Sequence, residues 1–134
     1  RGVGAFVLVA RAGSGYRDGE WLTPRLVDAY IDLHRAGWAH SVEAWSDDRL
    51  CGGLFGVAIG GVFTSETMFH TAPDAGNAAL VATAGLLARW GFVLWDIQAV
   101  SHHTARFGAC DIDAAEYRHR LAEALAVRPA AAWP

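Results

Sequence analysis

The sequence predicts an α/β domain built on a three-stranded antiparallel meander. Residues 41–69 form three consecutive runs that are rich in β-branched and aromatic residues. An Asp-Asp pair at 47–48 and a Gly-Gly pair at 60–61 separate these runs, and both pairs favour tight turns. Segments with helical spacing lie on either side of the meander. This combination indicates a sheet flanked by helices.

Two elements are predicted before the meander. Residues 2–11 are almost entirely apolar, so we predict a buried strand there, followed by a Gly-rich loop at 12–19. Thr23 and Pro24 are typical of a helix start, because Thr caps the first turn and Pro fits within it. Apolar residues then recur at helical spacing until Gly37, which is typical of a helix end.

A long helix and a strand are predicted directly after the meander. Asp74 is a suitable N-cap, and we expect the helix to run to about Trp90 and to end at Gly91. Residues 92–97 are strongly apolar apart from one carboxylate, and they predict a strand.

The C-terminal part predicts three short elements. We expect a helix at 102–107, a strand at 109–112 and a last helix capped by Asp113, with a frayed Pro/Ala-rich tail at 128–134. The order β-α-βββ-α-β-α-β-α fits an acetyltransferase-like (GNAT-like) architecture better than a doubly wound fold. We therefore predict one GNAT-like domain over residues 1–134.

Composition excludes several classes of protein. A chain of 134 residues with 53% hydrophobic residues can bury one core, and no apolar run reaches the roughly 18 residues that cross a bilayer. A net charge of −3 does not indicate a nucleic-acid binder, although all eleven basic residues are Arg, which suits phosphate. Two cysteines are too few for a disulfide framework and favour a reducing compartment.

Two carboxylates in apolar surroundings are candidates for chemistry. Asp96 interrupts an apolar strand, where it either caps the next helix or handles protons at a strand end. Gln98 follows two residues later, so both side chains are expected on one face of the strand. Glu66 is either an exposed residue at a strand end or an acid that meets a cationic group in a pocket.

Large apolar side chains could line a binding pocket or could simply form the core. The candidates are Trp45, Phe55, Met68 and Phe69. The six histidines and two cysteines show no metal-ligand spacing, so no metal site is predicted. The sequence also lacks the Gly-rich phosphate loops and the nucleophile motif GxSxG.

Five motifs in the chain occur in a familiar order. They are HSVEAW, GGLFGVA, SETMF, WDIQ and HHTARFGACDI. This series closely resembles the leucyl/phenylalanyl-tRNA–protein transferase family, whose typical forms are HSVEvW, GGlYGva, GESMF, lDxQ and HlxrfGA. The order and spacing match from about residue 21 to 125, and five ordered motifs are far more specific than any single one.

The resemblance implies an aminoacyltransferase with a GNAT-like fold. Such enzymes move Leu or Phe (also Met) from an aminoacyl-tRNA to proteins that begin with Arg or Lys, which marks them for degradation by the N-end rule. The donor is an aminoacyl ester and not acetyl-CoA. The loop HTAPDAGNA agrees, since it lacks the Q/R-x-x-G-x-G/A pattern that cradles CoA. We therefore expect no cofactor and a monomeric, cytoplasmic protein that does not contact membranes.

The resemblance also assigns roles to individual residues. Asp96 and Gln98 match the DxQ pair at the reacting amine, where they are proposed to help remove its proton, although binding geometry alone could do most of that work. Glu66 matches the Glu of GESMF, which would hold the acceptor's positive charge. The remaining expected substrate-binding residues are Trp45, Phe55, Met68, Thr67, Phe69, His103 and Thr104.

The chain departs from the family pattern at a few positions. Ser65 replaces Gly and Thr67 replaces Ser in GESMF, while Phe55 stands where Tyr is usual. The family's ASK is AGN at 75–77, and its small N-terminal domain is expected to be largely absent from this chain. Two alternative functions follow: a non-catalytic module that binds N-terminal residues or an RNA end, and an acyl-CoA-dependent N-acyltransferase.

Overall fold

The computed structural model describes residues 2–14 and 21–133. Within these ranges, five helices flank a four-stranded sheet. The elements in chain order are α1 Gly2–Ser14, α2 Pro24–Arg35, β1 Ala39–Ser46, β2 Arg49–Ile59, β3 Val62–His70, α3 Ala75–Trp90, β4 Leu94–Asp96, α4 His102–Ala105 and α5 Ala114–Ala126.

The predicted meander is confirmed. Strands β1, β2 and β3 pair antiparallel in sequence order, and β4 adds to β3 in parallel, so the sheet is mixed. Asp47 lies in the first turn and Gly60 in the second, with φ of 52° and 54° respectively. These positive φ angles suit Asp and Gly in tight turns. The parallel addition of β4 requires a crossover, and α3 supplies it.

The prediction for residues 2–11 was wrong, because this segment is helix α1 and not a strand. Ala5, Phe6, Val9 and Ala10 are all buried, which is one face of a helix. The intervening residues are also apolar, so the run carried no period to distinguish a buried helix from a buried strand. Helix α1 also includes the start of the loop predicted at 12–19, and the rest of that loop lies outside the described residues.

Helices cover both faces of the sheet, and each face has its own core. On the first face α1 packs against β1, β2 and β3, and α2 packs against α1 and β1, around a core that includes Phe6, Phe55 and Phe69. On the second face α3 packs against the same strands, around Leu54, Phe63 and Leu87. This two-faced burial explains the near-continuous apolar run of β2.

The predicted starts and ends of α2 and α3 are largely confirmed. The Thr23 hydroxyl accepts from the Leu26 backbone N–H at 3.3 Å, and Gly91 ends α3 with φ 80°. Asp74 occupies the N-cap position of α3, but it adopts φ 60° and makes no capping bond to the backbone. Its carboxylate instead accepts from the Asn77 side chain at 3.0 Å.

The predictions after α3 need four corrections, the first being that α4 ends at Ala105 and not at residue 107. Strand β4 is limited to Leu94–Asp96, and residues 109–112 form no strand because they pair with none of the described strands. Asp113 caps α5 as predicted, accepting from two backbone N–H groups. The tail is not frayed up to residue 133, because Trp133 stacks on His40 and Phe63 in the core. Its aromatic side chain offsets the flexibility suggested by the Ala and Pro content.

No helix among residues 2–14 and 21–133 combines the length and apolar character needed to span a membrane.

Candidate active site

The two predicted carboxylates lie on adjacent parallel strands. Asp96 is the last residue of β4 and pairs with Thr64 of β3. Glu66 lies two residues beyond Thr64 on β3. The parallel pairing of β3 and β4 therefore brings together two acids that are thirty positions apart in the sequence.

A β-bulge at Glu66 gives this side chain its special position. Phe55 pairs with Thr67 and Gly56 pairs with Ser65, so Glu66 is the extra residue on β3. Gly56 makes the bulge possible, because a Cβ atom there would lie 2.3 Å from the Thr64 carbonyl oxygen. Bulges re-aim one side chain out of the regular alternation of a strand, and here that side chain is a carboxylate.

Asp96 accepts hydrogen bonds on both of its carboxylate oxygens. The backbone N–H of Gln98 donates to Oδ1 at 2.7 Å, and the Tyr117 hydroxyl donates to Oδ2 at 2.6 Å. The first contact is an Asx turn, which ends β4 and leaves Gln98 with φ 68°. The two side chains are therefore not placed by strand alternation as predicted, and the turn keeps them adjacent instead.

Gln98 connects the two carboxylates. Its side-chain Nε2 donates to Glu66 Oε2 at 3.1 Å, while its backbone N–H binds Asp96. The same Glu66 oxygen accepts from the Tyr30 hydroxyl of α2 at 2.8 Å. The result is a continuous chain of hydrogen bonds, the five-residue network, which comprises Tyr30, Glu66, Gln98, Asp96 and Tyr117.

Both tyrosines of the network remain hydrogen-bond donors over a wide pH range. Burial and the hydrogen bond to Glu66 raise the pKa of Tyr30 well above its ordinary value. The hydrogen bond to Asp96, together with burial, raises the pKa of Tyr117. Ionisation of either phenol would set a second negative charge against a carboxylate. The network thus supplies neutral donors to both acids.

Sequence reasoning missed both tyrosines. Tyr30 follows the apolar period of α2, and its ring packs edge-on against Phe55, so its pattern is that of a core residue. Tyr117 lies near the start of α5 without any distinguishing motif. The available signal was chemical: a partly buried carboxylate requires donors, and a Tyr hydroxyl is a common one.

The predicted apolar pocket residues do not come together. Phe55 and Phe69 are buried in the core formed with α1 and α2. Met68 points to the opposite face of the sheet, where it packs against the cluster of Leu54, Phe63 and Leu87. Trp45 is half-buried on β1. Met68 is partly exposed and lies two residues after Glu66 in the sequence. Phe55 is buried, and its ring packs against the ring of Tyr30, which belongs to the network.

Ser65 and Thr67, the two residues beside Glu66, have different environments. The Ser65 hydroxyl accepts from Trp95 Nε1 at 2.8 Å, which links β3 to β4 immediately before the two carboxylates. Thr67 is buried against Gly13 of α1, and its hydroxyl makes no hydrogen bond to any part of the chain that the structure describes.

The two predicted residues after DxQ belong to helix α4. Thr104 forms a reciprocal capping box with Ser101, in which each side chain binds the other's backbone N–H. His103 packs against Phe107 with ring centroids 5.4 Å apart. Neither residue hydrogen-bonds to the five-residue network within the described ranges, and both lie on the short helix that follows the turn at Gln98.

A search of solved structures matches the fold to an acyltransferase architecture. The PaiA N-acetyltransferase of Thermoplasma acidophilum, solved in complex with coenzyme A, superposes with a TM-score of 0.52. The match covers 85% of this chain and 90% of that chain at 13% identity. The chain therefore has a GNAT-like fold, as predicted.

Sequence comparisons narrow this class to one family. The family model for leucyl/phenylalanyl-tRNA protein transferase matches residues 5–122. Relatives named leucyl/phenylalanyl-tRNA–protein transferase include one from an Anaeromyxobacter species, 50% identical over 81% of this chain and 46% of the relative. Another, from Thiobacillus denitrificans, is 48% identical over 89% of this chain and 54% of the relative. The chain belongs to the leucyl/phenylalanyl-tRNA–protein transferase family, and it spans about half the length of these curated relatives.

Proposed function

We propose that this chain carries the transferase site of an aminoacyl-tRNA–protein transferase. It would move Leu or Phe (also Met) from aminoacyl-tRNA to proteins with N-terminal Arg or Lys in the cytoplasm. One observation carries the proposal: in a member of this family, Gln98 hydrogen-bonds to both Asp96 and Glu66. Gln98 thus brings together two acids, one through its backbone N–H and one through its side chain, and such acids can bind a cationic amine and accept its proton.

The reaction exchanges an ester for an amide. The neutral α-amine of the acceptor attacks the ester carbonyl carbon, so that a C–N bond forms and the C–O bond to the tRNA ribose breaks. The ribose oxygen leaves as a hydroxyl with one proton from the amine. An acceptor that arrives as an ammonium ion must first lose one additional proton. The site therefore has to orient the amine and accept or relay a proton.

The five-residue network supplies groups for these tasks. Glu66 is a partly exposed carboxylate that would bind the acceptor's positive charge. The Gln98 Nε2 donates to Glu66. No described residue donates to the side-chain oxygen of Gln98, so that oxygen can bind substrate. That oxygen would accept a hydrogen bond from the acceptor amine and orient its lone pair towards the ester. Asp96 holds Gln98 in this orientation through the Asx turn and would favour removal of the proton.

Met68 is proposed to form part of the aminoacyl pocket. It is partly exposed on the face of the sheet that packs against α3, and Trp95, the residue before Asp96, packs against the same buried cluster. An unbranched thioether adapts to both Leu and Phe side chains. Trp45, half-buried on β1, is proposed to contact the donor as well.

An acyl-CoA donor is disfavoured by the start of α3. Asp74 occupies the N-cap position, and its carboxylate is exposed there. A helix N-terminus usually attracts phosphate, but a carboxylate in the same place repels it.

The decisive experiment is transfer of labelled Phe from fresh Phe-tRNA to an Arg-terminated peptide by the full-length protein. We expect transfer, and we expect Asp96→Asn to reduce it strongly. A Glu-terminated peptide serves as the matched control and is expected to accept nothing. Peptide binding without any transfer, unaffected by Asp96→Asn, would identify a non-catalytic binding module instead.

A further inference from the structure

Asp96 is held by a hydrogen bond from a second element, helix α5, as well as by its own turn. Its Oδ1 is occupied by the Gln98 backbone N–H of the same turn, but its Oδ2 accepts from the Tyr117 hydroxyl at 2.6 Å. A hydrogen bond of this length between a phenol and a carboxylate is a strong, charge-assisted one. Tyr117 thus binds the carboxylate oxygen of Asp96 that accepts no hydrogen bond from the local backbone.

The local backbone alone would hold Asp96 weakly. Strand β4 has three residues and lies at the edge of the sheet that the structure describes. Immediately after Asp96 the chain leaves the extended conformation, reaching φ 68° at Gln98. Among the described strands only β3 flanks β4, and pairing with Thr64 fixes the Asp96 backbone but not its side chain. The orientation of this carboxylate therefore depends on its two hydrogen-bond donors.

Helix α5 is well anchored at the end opposite Tyr117. The Gly61 N–H donates to the Ala124 carbonyl at 2.7 Å, and Ala124 is fully buried. A Cβ atom at Gly60 would lie 2.6 Å from the Leu125 carbonyl oxygen, so the turn between β2 and β3 fits closely against the helix. Tyr117 and Ala124 are seven residues apart, which puts them on the same face of α5.

We propose that Tyr117 is a positioning residue of the transferase site, which fixes Asp96 and through it the side-chain amide of Gln98. This inference rests on the proposed function for its kinetic part only. The Tyr117 hydroxyl donates to Asp96 Oδ2 and so orients the carboxylate with Oδ1 towards the Gln98 backbone N–H. With its backbone held in this way, Gln98 can donate its side-chain Nε2–H to Glu66. The raised pKa of the Tyr117 phenol agrees with this role, since the group stays protonated and continues to donate.

The kinetic test compares Tyr117→Phe with Glu116→Gln. The first variant removes only the hydroxyl, and the second removes a charge from the adjacent, partly exposed Glu116, which pairs with Arg120. We expect Tyr117→Phe to lower kcat about tenfold while the KM for the acceptor peptide changes less than twofold. Glu116→Gln should change neither value by more than twofold. A rise in KM without a fall in kcat would overturn the proposal, because it would mean that Tyr117 binds substrate directly.

A second comparison asks whether Tyr117 acts through Asp96. In an Asp96→Ala background, adding Tyr117→Phe should reduce the residual rate less than twofold, because the acceptor of the hydroxyl is already absent. An additional tenfold loss in that background would overturn the proposal.

A structural readout keeps the inference independent of activity. In ¹H–¹⁵N spectra of the protein, Tyr117→Phe should shift both the Gln98 backbone amide and its side-chain NH₂ signals, while Glu116→Gln leaves them in place. Unchanged Gln98 signals in Tyr117→Phe would overturn the positioning role. If the wild-type protein transfers no amino acid, the proposed function fails, and these spectra still decide the role of Tyr117.

Discussion

Gln98 donates its side-chain N–H to Glu66 at 3.1 Å, although the two residues are thirty-two positions apart. The contact joins a turn after β4 to a bulge in β3. It gives the amide one defined orientation, because a carboxylate accepts only from its NH₂ group. The arrangement has direct consequences for variants at both residues.

Replacing Gln98 by Glu should abolish most transfer. The new carboxylate would face Glu66 Oε2 at hydrogen-bond distance without a proton to share, so one of the two groups must move away. We expect a loss of kcat on the order of 100-fold, measured as Phe transfer to an Arg-terminated peptide.

The matched control for that change is Asn77→Asp. Asn77 also donates its amide to a carboxylate, that of Asp74 at 3.0 Å, and it is a partly exposed residue in the first turn of α3. The same change in charge there should alter kcat less than twofold. Similar losses at both positions would mean that added negative charge, and not the lost contact with Glu66, impairs transfer.

Two glycines of α1 should respond to alanine in opposite directions. A Cβ atom at Gly13 would lie 2.5 Å from the Thr67 methyl group, and Thr67 is a stiff, buried strand residue. Gly13→Ala should therefore destabilise the fold by about 1–3 kcal/mol. Gly4 has no atom within 4 Å of such a position, so Gly4→Ala should stabilise by up to about 1 kcal/mol. Urea unfolding of the two variants checks both signs, and equal effects would contradict the close packing of α1 on β3.

Ser65→Ala should weaken the connection between β3 and β4. It leaves Trp95 Nε1 without its acceptor in a partly buried position, which costs about 1–2 kcal/mol. Ser46→Ala, at the exposed end of β1, should change the free energy of unfolding by less than about 0.5 kcal/mol. Urea midpoints provide the comparison. A Ser65→Ala protein as stable as Ser46→Ala would show that the Ser65–Trp95 bond contributes nothing.

His40 should make the fold sensitive to acid. Burial lowers the pKa of His40 from 6.5 to about 4, and its ring stacks on Trp133 at 4.3 Å. The unfolded chain binds a proton between these two values and the folded chain does not. Stability from this group is therefore complete above about pH 6.5 and is lost as the pH falls towards 4.

The expected size of this effect is roughly 2–3 kcal/mol between pH 7 and pH 4.5. His40→Phe keeps a ring against Trp133 but cannot bind a proton. Between pH 7 and pH 4.5 its free energy of unfolding should therefore fall less than that of the wild-type protein, and the difference should be about the amount given above. Urea unfolding of both proteins at the two pH values measures it. Parallel losses in the two proteins would assign the acid sensitivity to other groups.

The elements of the fold that could be predicted are those whose structure is determined by residues close together in the sequence. The meander was predictable because turn pairs and β-branched runs act over a few residues, and Thr23 could be identified as a cap for the same reason. Helix α1 could not be predicted, because a segment that is apolar at nearly every position shows no hydrophobic periodicity that distinguishes a helix from a strand.

Some residues of the candidate site could likewise be predicted from local sequence patterns, and others could not. Asp96 and Glu66 were recognisable as acids in apolar segments, and motif order related them to a family. Tyr117 and the Ser65–Trp95 bond depend on contacts between distant segments, and the bulge at Glu66 depends on strand register. Such contacts are set by tertiary packing, which no local pattern in the chain records.

The close fit of α5 against the turn at Gly60 and Gly61 has a consequence for biosynthesis. Both carboxylates and Gln98 leave the ribosome before Tyr117 does, and the helix that carries Tyr117 can dock only after Ala124 has emerged. A nascent chain can thus form its sheet while the candidate site still lacks its last support. Docking of α5 therefore comes late in synthesis, so partly made chains carry both carboxylates and Gln98 without the contact from Tyr117 that holds Asp96.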